Sequence, residues 1–149
     1  MREVSAFEFF DLRLGLLDGH RFRIVDENRD DLHLVNIGIP HYNHKLRAEI
    51  DAAADNDGRY AWTAKWPKSQ VDAIEGLIIR ESTDNRWVTA IAWERFLSAQ
   101  GHNPWECMHL SIHVGALARN ETRVVRGKIY LFEGSKDDAL SRFQADFRR

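Results

Sequence analysis

Histidine and cysteine crowd together once, in "CMHLSIH" from Cys107 to His113, where His109 and His113 stand in the H-x-x-x-H spacing. On a helix that spacing sets two imidazoles on one face, ready for a transition metal. Yet Met108, Leu110, Ile112 and Val114 alternate with His109, Ser111 and His113, which is the period of a half-buried strand. Strand residues four apart are separated by roughly 13 Å at about 3.3 Å per residue. One ion with bonds of about 2.0–2.1 Å cannot bridge that gap. A helix starting at Asn103-Pro104, with Glu106 at its third position, is the competing reading. A metal site on a strand-borne His109 must recruit ligands from elsewhere. The candidates are His41 and His44 in "PHYNHK", with Glu94 and Cys107 behind them. The chemistry would be that of a small hydrolase or lyase with one divalent transition metal, and Glu94 or Tyr42 would move the proton.

Aromatic side chains offer a different chemistry. Flat faces flanked by polar groups suit ligands with an apolar face and a polar rim, sugars included. Trp87 and Trp93 fall inside strand patterns and read as core, whereas Trp62, Trp66 and Trp105 lie in turn-rich surroundings. With Tyr42, those three form the expected ligand-binding platform. The first functional reading is therefore a binding or accessory domain without a cofactor, taking a small molecule or a polysaccharide, and the metal-dependent enzyme is the alternative. A calcium loop at "DAAADNDG" fails, because Ala53 and Ala64 stand where its first carboxylate and closing glutamate belong. No G-x-S-x-G and no Gly-rich phosphate loop occurs.

Bulk properties narrow the partners. With 21 Lys and Arg against 23 Asp and Glu, and no basic stripe, the electrostatic footprint of nucleic-acid binding is missing. One cysteine excludes an intramolecular disulfide. The first residues, "MREVSAFEFFDLRLG", never reach the uninterrupted apolar run of a signal peptide, and no stretch approaches the roughly 18 apolar residues of a membrane span. A soluble chain with no membrane partner is expected, in a compartment left open. At 149 residues a single domain, 1–149, is expected.

Period-two alternation is the commonest pattern. Phe10, Leu12, Leu14 and Leu16, then Asp18-Gly19, then Phe22 and Ile24 predict a hairpin, with a helix capped by Ser5 as its competitor. "DDLHLVNIGI" predicts a strand and "KLRAEI" alternates in the same way. "EGLIIRES" and "RWVTAIAWERF" read as two long strands joined at "STDN", and "TRVVRGKIYLFEG" as another, with Gly127 marking a bulge or a close backbone approach. The end differs: Ser135 and Asp138 in capping-box spacing precede Leu140, Phe143 and Phe147 at helical intervals. The expected fold is mainly β, an antiparallel β-sandwich of about seven to eight strands with a short C-terminal helix. Apolar residues on both faces of several strands also make a homo-oligomer reasonable.

"NRWVTAIAWE", then "NP", Cys107 and His109, Gly115, Leu117 and Glu121, then "RGKIYLFEG" and the closing helix together resemble the C-terminal part of a group of bacterial β-rich proteins. Those proteins have the look of polysaccharide-associated or exported proteins and no established activity. The resemblance implies the sandwich and says little about chemistry. It departs at "ARNE", Ala118 to Glu121, where a Pro-Gly-Glu turn is expected, and at Ile112 and His113, where an Asp-Pro pair is expected.

Overall fold

A computed structural model describes residues 21–26, 32–35, 40–55, 69–101 and 107–147. Its centre is the hairpin expected around "STDN": β4 (Ala73–Glu81) and β5 (Trp87–Trp93) pair antiparallel from Leu77↔Ala92 to Glu81↔Val88. Polar side chains shape the turn. The Ser82 hydroxyl donates to Asp84 Oδ1 at 2.6 Å and accepts from the Trp87 N–H at 3.0 Å, while Asn85 takes a positive φ of 58°. β1 (Arg21–Asp26) and β2 (Leu32–Val35) extend the sheet on one side and β8 (Gly127–Glu133) on the other, in the order β2-β1-β4-β5-β8. A second antiparallel sheet holds β3 (His41–Tyr42), β6 (Phe96–Gln100) and β7 (His109–Ile112) in the order β3-β6-β7. The chain is mainly β, with two antiparallel sheets and a terminal helix, as the alternation predicts.

Alternation also decides what each face of the larger sheet meets. Phe22, Ile24 and Ile78 point to one side and pack with Phe96, Ala99 and Leu110 of the smaller sheet. Leu77, Ile79, Val88, Ala90, Tyr130 and Phe132 point to the other and pack with Ala139 and Phe143 of α2 (Lys136–Phe147). Each fully buried aliphatic or aromatic side chain in these clusters contributes about 1.5–3 kcal/mol of transfer free energy. The capping box at the start of α2 is formed: the Ser135 N–H donates to Asp138 Oδ2 at 2.8 Å, and the Asp138 N–H donates to Ser135 Oγ at 3.2 Å. The Ser135 N–H, with the Ser135 hydroxyl, holds the Asp138 carboxyl below its ordinary range.

Two expectations need correction. "KLRAEI" is not a strand: His44–Leu46 form a 3-10 turn that runs into α1 (Arg47–Asp55). Asn43 caps the turn by accepting the Lys45 N–H at 3.0 Å, and Leu46 and Ile50, four apart, share the face that packs on Tyr42 and Leu97. The same residues satisfy a period of two and a spacing of four, and the alanines that follow favour the helix. "RWVTAIAWERF" is two strands, because the chain leaves the first sheet at Glu94-Arg95 and enters the second at Phe96. Glu94 fixes the departure: its N–H donates to the Arg126 carbonyl at 3.1 Å, and its carboxylate accepts the Arg126 N–H and Nε–H at 2.8 Å each. Gly76 makes room for it, since a Cβ there would stand 2.0 Å from the Trp93 carbonyl oxygen. Of the hairpin expected before Asp26 only β1 is described, and both of its edges are occupied, by β2 and β4. The Phe10–Leu16 segment lies outside the described residues.

Candidate functional site

The bend at Glu94-Arg95 opens a cleft of about 290 Å³ between the two sheets and α2. Ile74, Trp93, Phe96, Phe143 and Phe147 give it apolar walls, and Lys45, Glu75, Glu94, Arg95 and His113 give it a charged rim. Its volume is at the lower end of the range of roughly 300–1,000 Å³ for small-molecule sites. On the other side of Trp93 lies a groove between β7 and β8, floored by Ile91, Trp93, Gly127 and Ile129 and walled by Met108, His109, Leu110 and Lys128. The smaller sheet leaves this part of the larger one uncovered, and Ile129 is 71% exposed there.

Trp93 is common to both cavities. It pairs across the sheet with Gly127, and a Cβ on Gly127 would stand 2.2 Å from Cε3 and Cζ3 and 2.7 Å from Cη2. Three ring atoms at nearly equal distance mean that the benzo half of the indole lies flat on the glycine backbone. Gly127 is thus a close approach, one of the two roles expected of it. The ring is held at the last position of β5, half-buried, where the sheet gives way to the cleft.

The charges around the cleft are not equally free. Glu94 is bound by Arg126, whose N–H and side chain hold its carboxyl below the ordinary range, with Arg95 adding to the effect. Glu75 is engaged as well. Arg95 makes no hydrogen bond or ion pair with a carboxylate among the described residues.

The expected metal set is not assembled. His41 and Leu110 both pair with Ala99, so His41 faces the same side of the smaller sheet as Leu110, while His109, one residue along, faces the opposite side. His41 is buried, its Nδ1 2.9 Å from the Val71 carbonyl. His44 is exposed, and its Nδ1 lies 3.9 Å from Asp72 Oδ2. His109 lines the open groove, and His113, beyond the end of β7, lines the cleft. Cys107 is half-buried ahead of β7. Among the described residues no three of His, Cys, Asp and Glu gather closely enough to hold an ion.

Neither proposed proton carrier is placed for the task. Both oxygens of Glu94 are occupied by Arg126. Tyr42, also expected on the aromatic platform, is wholly buried against Ile50 and Leu97, so its ring offers no face to a ligand. Burial raises its hydroxyl pKa, against the opposing charge of Arg47, and among the described residues the hydroxyl has no hydrogen-bond partner. Arg47 itself donates to Asp51 Oδ2 at 3.0 Å, to Asp72 Oδ1 at 2.5 Å and to the Ser69 carbonyl at 3.1 Å, a clamp between α1 and the segment before β4. Trp62, Trp66 and Trp105 lie outside the described residues.

The residues that sequence reasoning passed over are Trp93, taken as core, and Arg95. A signal existed: "WERF" sets two charged residues side by side in an otherwise alternating run, which a continuous half-buried strand does not tolerate. Comparison with protein-family profiles, with curated proteins and with solved structures finds no match to this chain. Among the described residues no helix is long and apolar enough to cross a membrane.

Proposed function

We propose that this chain is a binding domain for carbohydrate, non-catalytic in itself, with the Trp93 indole as the stacking surface. One observation carries the reading: an indole held flat on a glycine at a strand end lines two adjoining cavities, each with polar groups at its edge. A sugar ring has an apolar face of C–H groups and an equatorial rim of hydroxyls, and it fits an aromatic plane bordered by hydrogen-bonding groups. Asn43, Lys45, Arg95 and His113 on one side, with His109, Ser111 and Lys128 on the other, supply that border.

Affinity electrophoresis through gels containing a soluble neutral β-glucan, a xylan or polygalacturonate tests the reading with wild-type protein, Trp93→Phe and Trp93→Ala. At least one polysaccharide is expected to retard the wild type, Trp93→Phe partly and Trp93→Ala not at all. Equal mobility of the wild type in every gel, or retardation of Trp93→Ala as strong as that of the wild type, would sink it.

A further inference from the structure

Beyond Trp93, the cleft ends in a cluster of side-chain nitrogens from Arg95, His113 and Arg123. Gly115, at a φ of +76°, follows His113 in the segment after β7. The point where a Cβ on Gly115 would stand lies 2.8 Å from Arg123 Nη1, 3.7 Å from Arg95 Nη2 and 3.8 Å from His113 Nε2. Two guanidinium groups and an imidazole therefore each place a nitrogen within 4 Å of one point beside Gly115. Arg95 and His113 belong to the cleft lining, so this point adjoins the space beside Trp93.

Like charges held together cost free energy unless something of opposite sign meets them. Arg123 is met within the chain: it donates to the Val114 carbonyl and to Glu121 Oε1, and Glu121 also accepts the Ala118 N–H at 2.8 Å. These bonds hold the 114–123 segment in place, and with it Gly115 and His113. Among the described residues Arg95 makes no side-chain hydrogen bond or ion pair of this kind, and the two carboxylates of the cleft rim, Glu94 and Glu75, are each engaged. The Arg95 charge acts on Glu94 only without a hydrogen bond, and it lies near an imidazole nitrogen that donates or accepts according to tautomer.

We infer that this end of the cleft binds an oxyanion carried by the saccharide, a uronate carboxylate or a sulfate ester, through Arg95 and His113 while the sugar ring rests on Trp93. A guanidinium presents paired N–H donors to two oxygens of such a group, and the Arg123 charge adds attraction without needing to move. The inference rests on the carbohydrate reading and specifies its substrate class.

Calorimetric titration of the wild type with two matched pairs tests it: oligogalacturonate against its methyl ester, and sulfated maltotriose against maltotriose. The acidic member of at least one pair is expected to bind about ten-fold more tightly than its neutral counterpart, with the advantage falling as salt is raised. A preference within the first pair assigns a uronate, and within the second a sulfate. Arg95→Gln, at an exposed side chain, is expected to bring that ratio close to one. Arg123 is left unchanged, because its bonds to Val114 and Glu121 shape the segment. Equal binding of acidic and neutral forms, or a ratio unmoved in Arg95→Gln, overturns the oxyanion site while leaving the carbohydrate reading intact. No binding of any of the four compounds overturns both.

Discussion

Replacing Gly127 by alanine strikes at the contact that positions Trp93. The new Cβ would stand 2.2 Å from two atoms of the indole, and the ring must retreat by about 1.3 Å to regain an ordinary carbon contact of about 3.5 Å. Overpacking of this kind costs about 1–3 kcal/mol. Alanine recovers about 0.5–1 kcal/mol of that through its smaller loss of chain entropy in a strand. A net loss of about 1–2 kcal/mol corresponds to a fall in Tm of about 2–8 °C for a chain of this size. Urea unfolding and thermal denaturation followed by circular dichroism would measure it, in wild-type and Trp93→Ala backgrounds. With the indole gone the clash disappears, so Gly127→Ala becomes neutral or stabilising and the cycle yields a coupling of about 1 kcal/mol or more. The same cost in both backgrounds would refute the stacking of Trp93 on Gly127.

Other consequences follow from the hydrogen bonds. Ser135→Ala removes the N-cap of α2 and is expected to cost about 1 kcal/mol in urea unfolding, with Ser135→Asp close to wild type; no loss in Ser135→Ala would contradict the cap. Tyr42→Phe discards a buried hydroxyl that has no partner among the described residues, so stability should be unchanged or rise by up to about 1 kcal/mol, and a clear loss would show that the hydroxyl is bonded. The carboxyls of Glu94, Asp138 and Asp146 all lie below their ordinary values, through the bonds from Arg126, from Ser135 and from Lys128 with Tyr130 respectively. Because these native values are depressed, the unfolded chain binds more protons near pH 4; the stability is present above the unfolded values of about 4 and is lost as pH falls through the native ones. Urea midpoints should therefore drop steeply below about pH 4, and less so in Asp146→Asn; a midpoint flat from pH 6 to pH 3 would contradict this.

How much of this was legible depended on whether a pattern had one solution. Alternation in "EGLIIRES" and "GKIYLFE" admits only a strand with two unlike faces, and in "CMHLSIH" it outweighs the competing helix from Asn103; those strands are present. Strand geometry alone was enough to rule out one ion between His109 and His113. In "KLRAEI" the residues fit both periods, and the deciding contacts of Leu46 and Ile50 with Tyr42 and Leu97 cross from helix to sheet, where local sequence is silent. Tyr42 was misjudged for a related reason: a polar neighbourhood of Asn43, His44 and Lys45 surrounds it in sequence, yet its β3 position turns it into the core. The site itself was the least legible part. Trp93, Arg95, His113 and Gly115 meet only because the chain changes sheets at Glu94, and the Arg126 that ties Glu94 down lies on another strand's approach. No local spacing announces such a meeting.

The most direct test of the central claim, that the cleft beside Trp93 is the saccharide site, is an NMR titration of labelled protein with oligogalacturonate. It would follow the Trp93 indole N–H, the Arg95 Nε–H and the Gly115 amide. All three should move together and saturate with one affinity, and the Trp93 signal should lead. If they stay fixed while resonances remote from the cleft shift, or if nothing moves at millimolar ligand, the claim is contradicted.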